Sequence, residues 1–207
     1  MNFLHLKGVR GRQIFAACLG ITLSSLGIAL FYYSALGADP VSVFVDGLHL
    51  VCHISYGTAL NLFNFTVLAV IVLFMRSSIH IGLILYMLFS GVLVDVFTAV
   101  ITSLLGASQS GLPQLLCMLS GVLSLAVGTG IFISSRLGSG PWDMILLALH
   151  EHFHIPYRYM RIGSDAFFAT LGVLFGGIVG VGTICSLALA GFIVDLSSSI
   201  SSRTLMA

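Results

Sequence analysis

Six long apolar runs, broken only by small or isolated polar residues, alternate along the chain with short polar or glycine-rich stretches. They cover about residues 13–36, 55–75, 81–105, 112–136 and 156–177, with a sixth from Gly182 to about Ser199. A bilayer core takes roughly 20 residues of helix, so runs of this length predict membrane-crossing helices. Two shorter stretches, Pro40 to His53 and Pro141 to His154, fall after the first and fourth runs. Each follows Leu-Gly-x-x-Pro, at Leu36-Gly37 with Pro40 and at Leu137-Gly138 with Pro141. Glycine ends a helix and proline suits the first turn of the next, so the pattern predicts a break and a restart. The helices that restart, 40–53 and 141–154, are too short to span and predict either interfacial amphipathic or re-entrant segments.

The recurrence of the break reveals a duplication. At a constant offset of 101, Gly27 to Phe65 aligns without gaps to Gly128 to Ala166, with roughly eleven identities in thirty-nine pairs. Those identities keep Gly37/Gly138, Pro40/Pro141, His49/His150 and His53/His154 in register, and after a one-residue shift Gly82/Gly182, Gly91/Gly191 and Asp95/Asp195 follow. Chance matches of apolar letters do not hold Gly, Pro, His and Asp together, so the repeat is taken as real. The chain divides into an amino-terminal segment 1–12, a first repeat 13–105, a connection 106–111, a second repeat 112–200 and a tail 201–207. Each repeat holds three spans, an odd number, so the second enters the membrane from the opposite side. The expected fold is an all-α membrane protein of six transmembrane helices in two inverted three-helix repeats, an architecture that recurs in secondary transporters.

Composition sharpens this picture. The chain is 58% hydrophobic and 7% charged, with a mean hydropathy of +1.12, more apolar surface than a soluble core of this size hides. Lys7, Arg10 and Arg12 resemble the basic region of a signal peptide, but the full-length span behind them predicts an uncleaved first helix. With the amino terminus inside, Lys7, Arg10, Arg12, Arg76, Arg136, Arg158, Arg161 and Arg203 all fall on or near the cytoplasmic face, which also puts the carboxy terminus there. Cys18, Cys52, Cys117 and Cys185 show no paired spacing and are expected to be free thiols.

Several residues could carry chemistry. Asp95 and Asp195 lie about fourteen residues, or about 21 Å, into their spans. A carboxylate at that depth needs pairing, protonation or water, which suits a proton relay or substrate group as well as a cap on a neighbouring helix. Asn64 and its counterpart Asp165 are also deep, and Asp165 has a structural alternative in an i, i+4 pair with Arg161. Arg136 either snorkels to the cytoplasmic face or meets Asp143 or an anionic substrate. Trp142 and Asp143 open the second short helix, where an acid favours the macrodipole; Ser42 stands in the first turn of its counterpart. The two helix starts could instead direct partial positive charge toward a buried anion or polar head.

His49 with His53, and His150 with His154, have the spacing of two imidazoles on one metal, but no third ligand is fixed, so no metal and no cofactor are expected. Gly172-x-x-x-Gly176-x-x-x-Gly180 could serve internal packing or a homodimer. There is no nucleotide-binding loop or hydrolase motif, and too little soluble chain for a catalytic domain; enzyme activity and nucleic-acid binding are not expected.

The doubled break, and above all Arg136-Leu137-Gly138-x-Gly140-Pro141-Trp142-Asp143, resembles the YczE-like branch of the YczE/YyaS/YitT family of bacterial membrane proteins. The first copy departs from it at Pro40-Val41-Ser42. The resemblance implies a bacterial cytoplasmic-membrane protein and supports the fold without naming a substrate. The leading expectation is a small secondary transporter or exporter, with the bilayer and a small molecule or ion as its partners. The alternatives are a non-transporting accessory or assembly partner, or a substrate-binding subunit of a larger transporter.

Overall fold

The computed structural model describes residues 11–74, 80–106, 111–138 and 140–204. They form eight helices: α1 (Gly11–Ser34), α2 (Pro40–Cys52), α3 (Tyr56–Phe74), α4 (Ile81–Leu105), α5 (Leu112–Ser134), α6 (Pro141–Phe153), α7 (Tyr157–Leu174) and α8 (Val181–Thr204). Long and short helices fall where the apolar runs and the two breaks place them. Lys7, Arg10, Arg76 and most of the 106–111 connection lie outside the described residues.

Five of the helices, α1, α3, α4, α5 and α8, are long and apolar enough to cross a bilayer. The expected fifth span, α7, is not among them: it has 18 residues and carries Arg158, Arg161 and Asp165. The outward faces are those of a chain in lipid, with Phe74 80% exposed, Leu104 77% and Phe192 72%. A surface this apolar has no place in water, and the protein is a membrane protein.

At its centre α1 and α5 cross antiparallel. Gln13, at the start of α1, donates from Nε2 to the Ser135 carbonyl just past the end of α5 at 3.2 Å. Gln114, at the start of α5, donates to the Ser34 carbonyl that ends α1 at 2.7 Å. Between these clasps lie four glycines. A Cβ added at Gly20 would stand 2.7 Å from the Gly128 oxygen, one at Gly128 2.8 Å from that of Gly20, and one at Gly27 2.8 Å from that of Gly121. Lipid supplies no hydrophobic drive for helix association, so close backbone approach over small residues holds such a pair.

The outer helices attach by exchange. α4 packs on α1 and α8 on α5. The first amides of a helix have no partner within it. The Gly82 amide of α4 donates to the Leu137 carbonyl at 3.1 Å, and the Gly182 amide of α8 to the Leu36 carbonyl at 2.9 Å. Each half therefore satisfies its helix start on the break of the other. A hydrogen bond of 2.8 Å between Ser134 and Ser201 joins the far ends of α5 and α8. Arg12, Arg136 and Arg203, which neighbour these contacts, thus share one end of the bundle; Ser34, Gly106 and Gln114 mark the other.

The short helices end alike. His53 (φ 54°) and His154 (φ 57°) take the left-handed conformation that terminates α2 and α6. One turn back, Nδ1 of His49 meets the Ile54 carbonyl at 2.5 Å and Nδ1 of His150 meets that of Ile155 at 2.6 Å. The four histidines thus close helices, and among the described residues no group of three metal-ligating side chains forms.

The halves differ in how their helices pack. α3 packs along α4, while α7 does not pack along α8 in the same way and turns instead to α2. Glycines allow this: a Cβ at Gly47 would meet the Gly172 oxygen at 2.8 Å, and one at Gly172 the Val43 oxygen at 2.7 Å. The repeat offset puts Ala148 and Ile71 at the counterparts of Gly47 and Gly172, so the close contact has no twin.

Candidate functional site

The amino-terminal portions of α2 and α6 converge on the same two rings. Phe44 of α2 lies 5.8 Å from Phe63 of α3 and 5.3 Å from Phe168 of α7, between ring centroids. Trp142 of α6 lies 6.4 Å from Phe63 and 4.7 Å from Phe168. Four aromatic side chains from four helices thus meet between the two breaks, and edge-on and tilted contacts at these spacings are mutually attractive.

Beside this aromatic group stands a charged one. Arg161, one turn into α7, places Nη1 2.5 Å from Oδ1 of Asp143 in the first turn of α6. Its Nε lies 3.2 Å from both oxygens of Asp165, one turn further on, and donates to Oδ2. The i, i+4 pair expected from sequence is therefore present, and the same guanidinium also reaches across to α6. The Asp165 side chain is 13% exposed, and its Oδ1 is buried without a hydrogen-bond partner. Trp142 Nε1 is also buried without one. A buried indole donor without a partner, beside a carboxylate already paired with Arg161, makes an environment able to take up a polar group.

The other candidates are placed elsewhere. Asn64, the counterpart of Asp165, is buried and donates to Ser90 of α4 at 3.2 Å. It joins α3 to α4. Asp95 caps a helix: Oδ1 accepts from the Gly57 amide at 2.8 Å and Oδ2 from the Ser55 hydroxyl at 2.6 Å, both at the start of α3. Asp195, its equivalent on α8, is exposed. A Cβ at Gly91 would collide with the Gly57 carbonyl and the Asn61 side chain, whereas one at Gly191 meets nothing within 4 Å. Arg136 is exposed at the cationic end in the left-handed conformation (φ 57°). Ser42 is buried in the first turn of α2, where its amide donates to the capping Asp39 carboxylate at 3.4 Å and its carbonyl accepts from the Tyr56 hydroxyl at 3.3 Å.

Sequence reasoning missed the aromatic convergence, because Phe44, Phe63 and Phe168 have no aromatic counterpart at the repeat offset. It also missed the glutamine clasp, although Gln13 and Gln114 are related by the same offset of 101. Extending the alignment toward the amino terminus would have found it.

A family model described as a family of unknown function, DUF6198, matches residues 11–199. The uncharacterized membrane protein YczE of Bacillus subtilis is 28% identical over 185 residues, covering 86% of this chain and 81% of its own. The uncharacterized protein YyaS of the same organism is 26% identical over 186 residues, covering 89% and 92%. An uncharacterized protein of Haemophilus influenzae is 24% identical over 183 residues, covering 88% and 82%. No solved structure matches.

Proposed function

The chain belongs to the DUF6198 family, and from its geometry we propose that it is a small secondary transporter whose two halves are inverted repeats working by alternating access. In this reading α7 is the sixth span, and Arg161 and Asp165 are tolerated in it because they pair with each other and with Asp143 of α6. The reciprocal α1–α5 glycine contacts and the paired Gly82 and Gly182 bonds support the inversion, since each contact has a twin with the halves exchanged. The cationic end with Arg12, Arg136 and Arg203 faces the cytoplasm of a bacterial inner membrane, with both termini on that side.

One observation carries the transport reading: equivalent helices are packed differently. α3 is clamped to α4 by Asp95 and by Gly91 against Gly57, whereas Asp195 and Gly191 stand open on α8. Two halves of common plan in unlike arrangements are what one end state of a rocking machine looks like. The other end state clamps α8 onto α7 and releases α4 from α3. The substrate passes the site framed by Trp142, Asp143, Arg161 and Asp165, with Asp165 as the polar contact.

The test needs no substrate. In a background lacking the four native cysteines, Asn64→Cys with Ser90→Cys reports the packed pair. Ile162→Cys with Gly191→Cys reports the opposite packing, because these positions correspond to Asn61 and Gly91, whose contact is made in the first half. Both pairs are expected to cross-link in membranes, and trapping one is expected to suppress the other. Cross-linking of the first pair alone, under all conditions, removes the alternating reading. A second reading uses the same open face: Gly191 and Asp195 form the docking edge for a membrane partner, as an accessory subunit would. It predicts a stoichiometric co-purifying chain and cross-links from Gly191→Cys to that chain.

A further inference from the structure

A cavity lies at the end of the bundle opposite Arg12, Arg136 and Arg203, between the α1 break, α2 and the α7–α8 connection. It encloses about 260 Å³. That is below the range of sites for drug-sized ligands, so its occupant is a small molecule. Tyr32, Tyr56, Asp46 and His49 supply its polar and aromatic lining, closed by Gly176 and Ile178 of the connection.

The charge of this cavity follows from its hydrogen bonds. Nδ1 of His49 faces the Ile54 carbonyl, which only accepts, so Nδ1 carries a proton. Nε2 faces the Tyr32 hydroxyl at 3.1 Å and can accept its proton. The Tyr32 hydroxyl both donates and accepts, so it meets Nε2 whichever of the two carries the proton. Asp46 accepts at Oδ2 from the Ile178 amide at 3.2 Å, and among the described residues no Lys or Arg lines the cavity. Burial raises the Asp46 carboxyl above its ordinary value, against the Ile178 amide and His49, which lower it. Burial outweighs both, so the ionised carboxylate is under-compensated in this cavity, and a bound cation would supply the balance. Tyr32 and Tyr56, with ring centroids 4.9 Å apart, both line the cavity, and tyrosine rings attract ammonium groups.

We infer that this cavity is a binding site for a small organic cation, an alkyl- or quaternary ammonium, held by the Asp46 carboxylate and the rings of Tyr32 and Tyr56. The site is independent of the Arg161 cluster and does not rest on transport. Its selectivity comes from charge, since the apolar remainder of the lining, Ala35, Ala38, Val43 and Leu50, would take a neutral molecule of the same shape without distinction.

Calorimetric titration of the purified full chain with choline, and with its neutral isostere 3,3-dimethyl-1-butanol, tests this. Saturable choline binding is expected, at least about tenfold tighter than the isostere, as expected for a charge-dependent site. Asp46→Asn keeps an acceptor for the Ile178 amide and is expected to weaken choline binding about tenfold while leaving the isostere unchanged; Tyr32→Leu is expected to weaken choline as well. Absence of saturable choline binding, equal affinity for the two compounds, or unaltered choline affinity in Asp46→Asn each overturns the proposal. Should Asp46→Asn fail to fold, the wild-type comparison still decides. Loss of the cross-link exchange described above would remove alternating access and leave this site standing.

Discussion

Asp95 accepts the Gly57 amide at 2.8 Å, so a carboxylate in the body of α4 caps the start of α3. Asp195, its partner by repeat, caps nothing and is exposed. Replacing Asp95 by Ala removes two hydrogen bonds to a carboxylate and is expected to cost on the order of 3 kcal/mol. The same change at Asp195 should cost under about 0.5 kcal/mol. Thermal unfolding in detergent, followed by helical circular dichroism, measures both; equal losses would show that the cap does not bear on stability.

Glycines give a matched contrast. Gly128→Ala drives a methyl group into the backbone of α1 and is expected to destabilise by about 1–3 kcal/mol. Gly191→Ala meets open space and exchanges glycine for a better helix former, a gain of about 1 kcal/mol. Under the alternating reading Gly191→Ala should nonetheless reduce the Ile162/Gly191 packing, measured as lower cross-linking of a neighbouring pair, Met160→Cys with Val194→Cys. A variant stabilised in this way with undiminished cross-linking would speak against α8 closing on α7.

Trp142 is the single tryptophan of the chain and sits inside the proposed substrate site, so its fluorescence isolates that site. Asp165→Asn is expected to change the emission maximum, because the altered group lies in the same buried cluster. Choline bound in the Asp46 cavity should leave the emission unaltered, since Trp142 does not line it. A choline-induced shift would mean that the two sites communicate.

Cys52 is exposed at the end of α2, and Cys18 is exposed in the body of α1. A membrane-impermeant maleimide added to intact cells should label Cys52 and leave Cys18, which faces lipid, unlabelled. Labelling of Cys52 only after the cells are opened would reverse the proposed orientation.

Much of this architecture could be read from the chain because two signals coincide. Long apolar runs set the helices, and Leu-Gly-x-x-Pro set both breaks; Pro40 and Pro141 each open a helix as expected. The character of α7 was less legible, since Arg158, Arg161 and Asp165 lower its apolarity and only tertiary contact with Asp143 explains two of them. The Asp46 cavity was not legible at all. Its carboxylate is paired by the repeat offset with Leu147, and attention to duplicated residues passes over a site that one half alone possesses. Asp95 shows the converse limit: duplication marked it, but whether it capped a helix or faced a substrate depended on where α3 begins.

The crossed bonds from Gly82 to Leu137 and from Gly182 to Leu36 bear on how such a chain can arise and be rebuilt. Neither half closes its own break, so each alone is an incomplete object, and the two behave as obligate partners joined by a tether. Fragments 1–106 and 111–207, expressed separately, should fail to accumulate, while together they should reassemble in the membrane. Under the proposed inversion, a half-length forebear would need two copies of itself inserted in opposite senses, and fusion would have made that arrangement permanent.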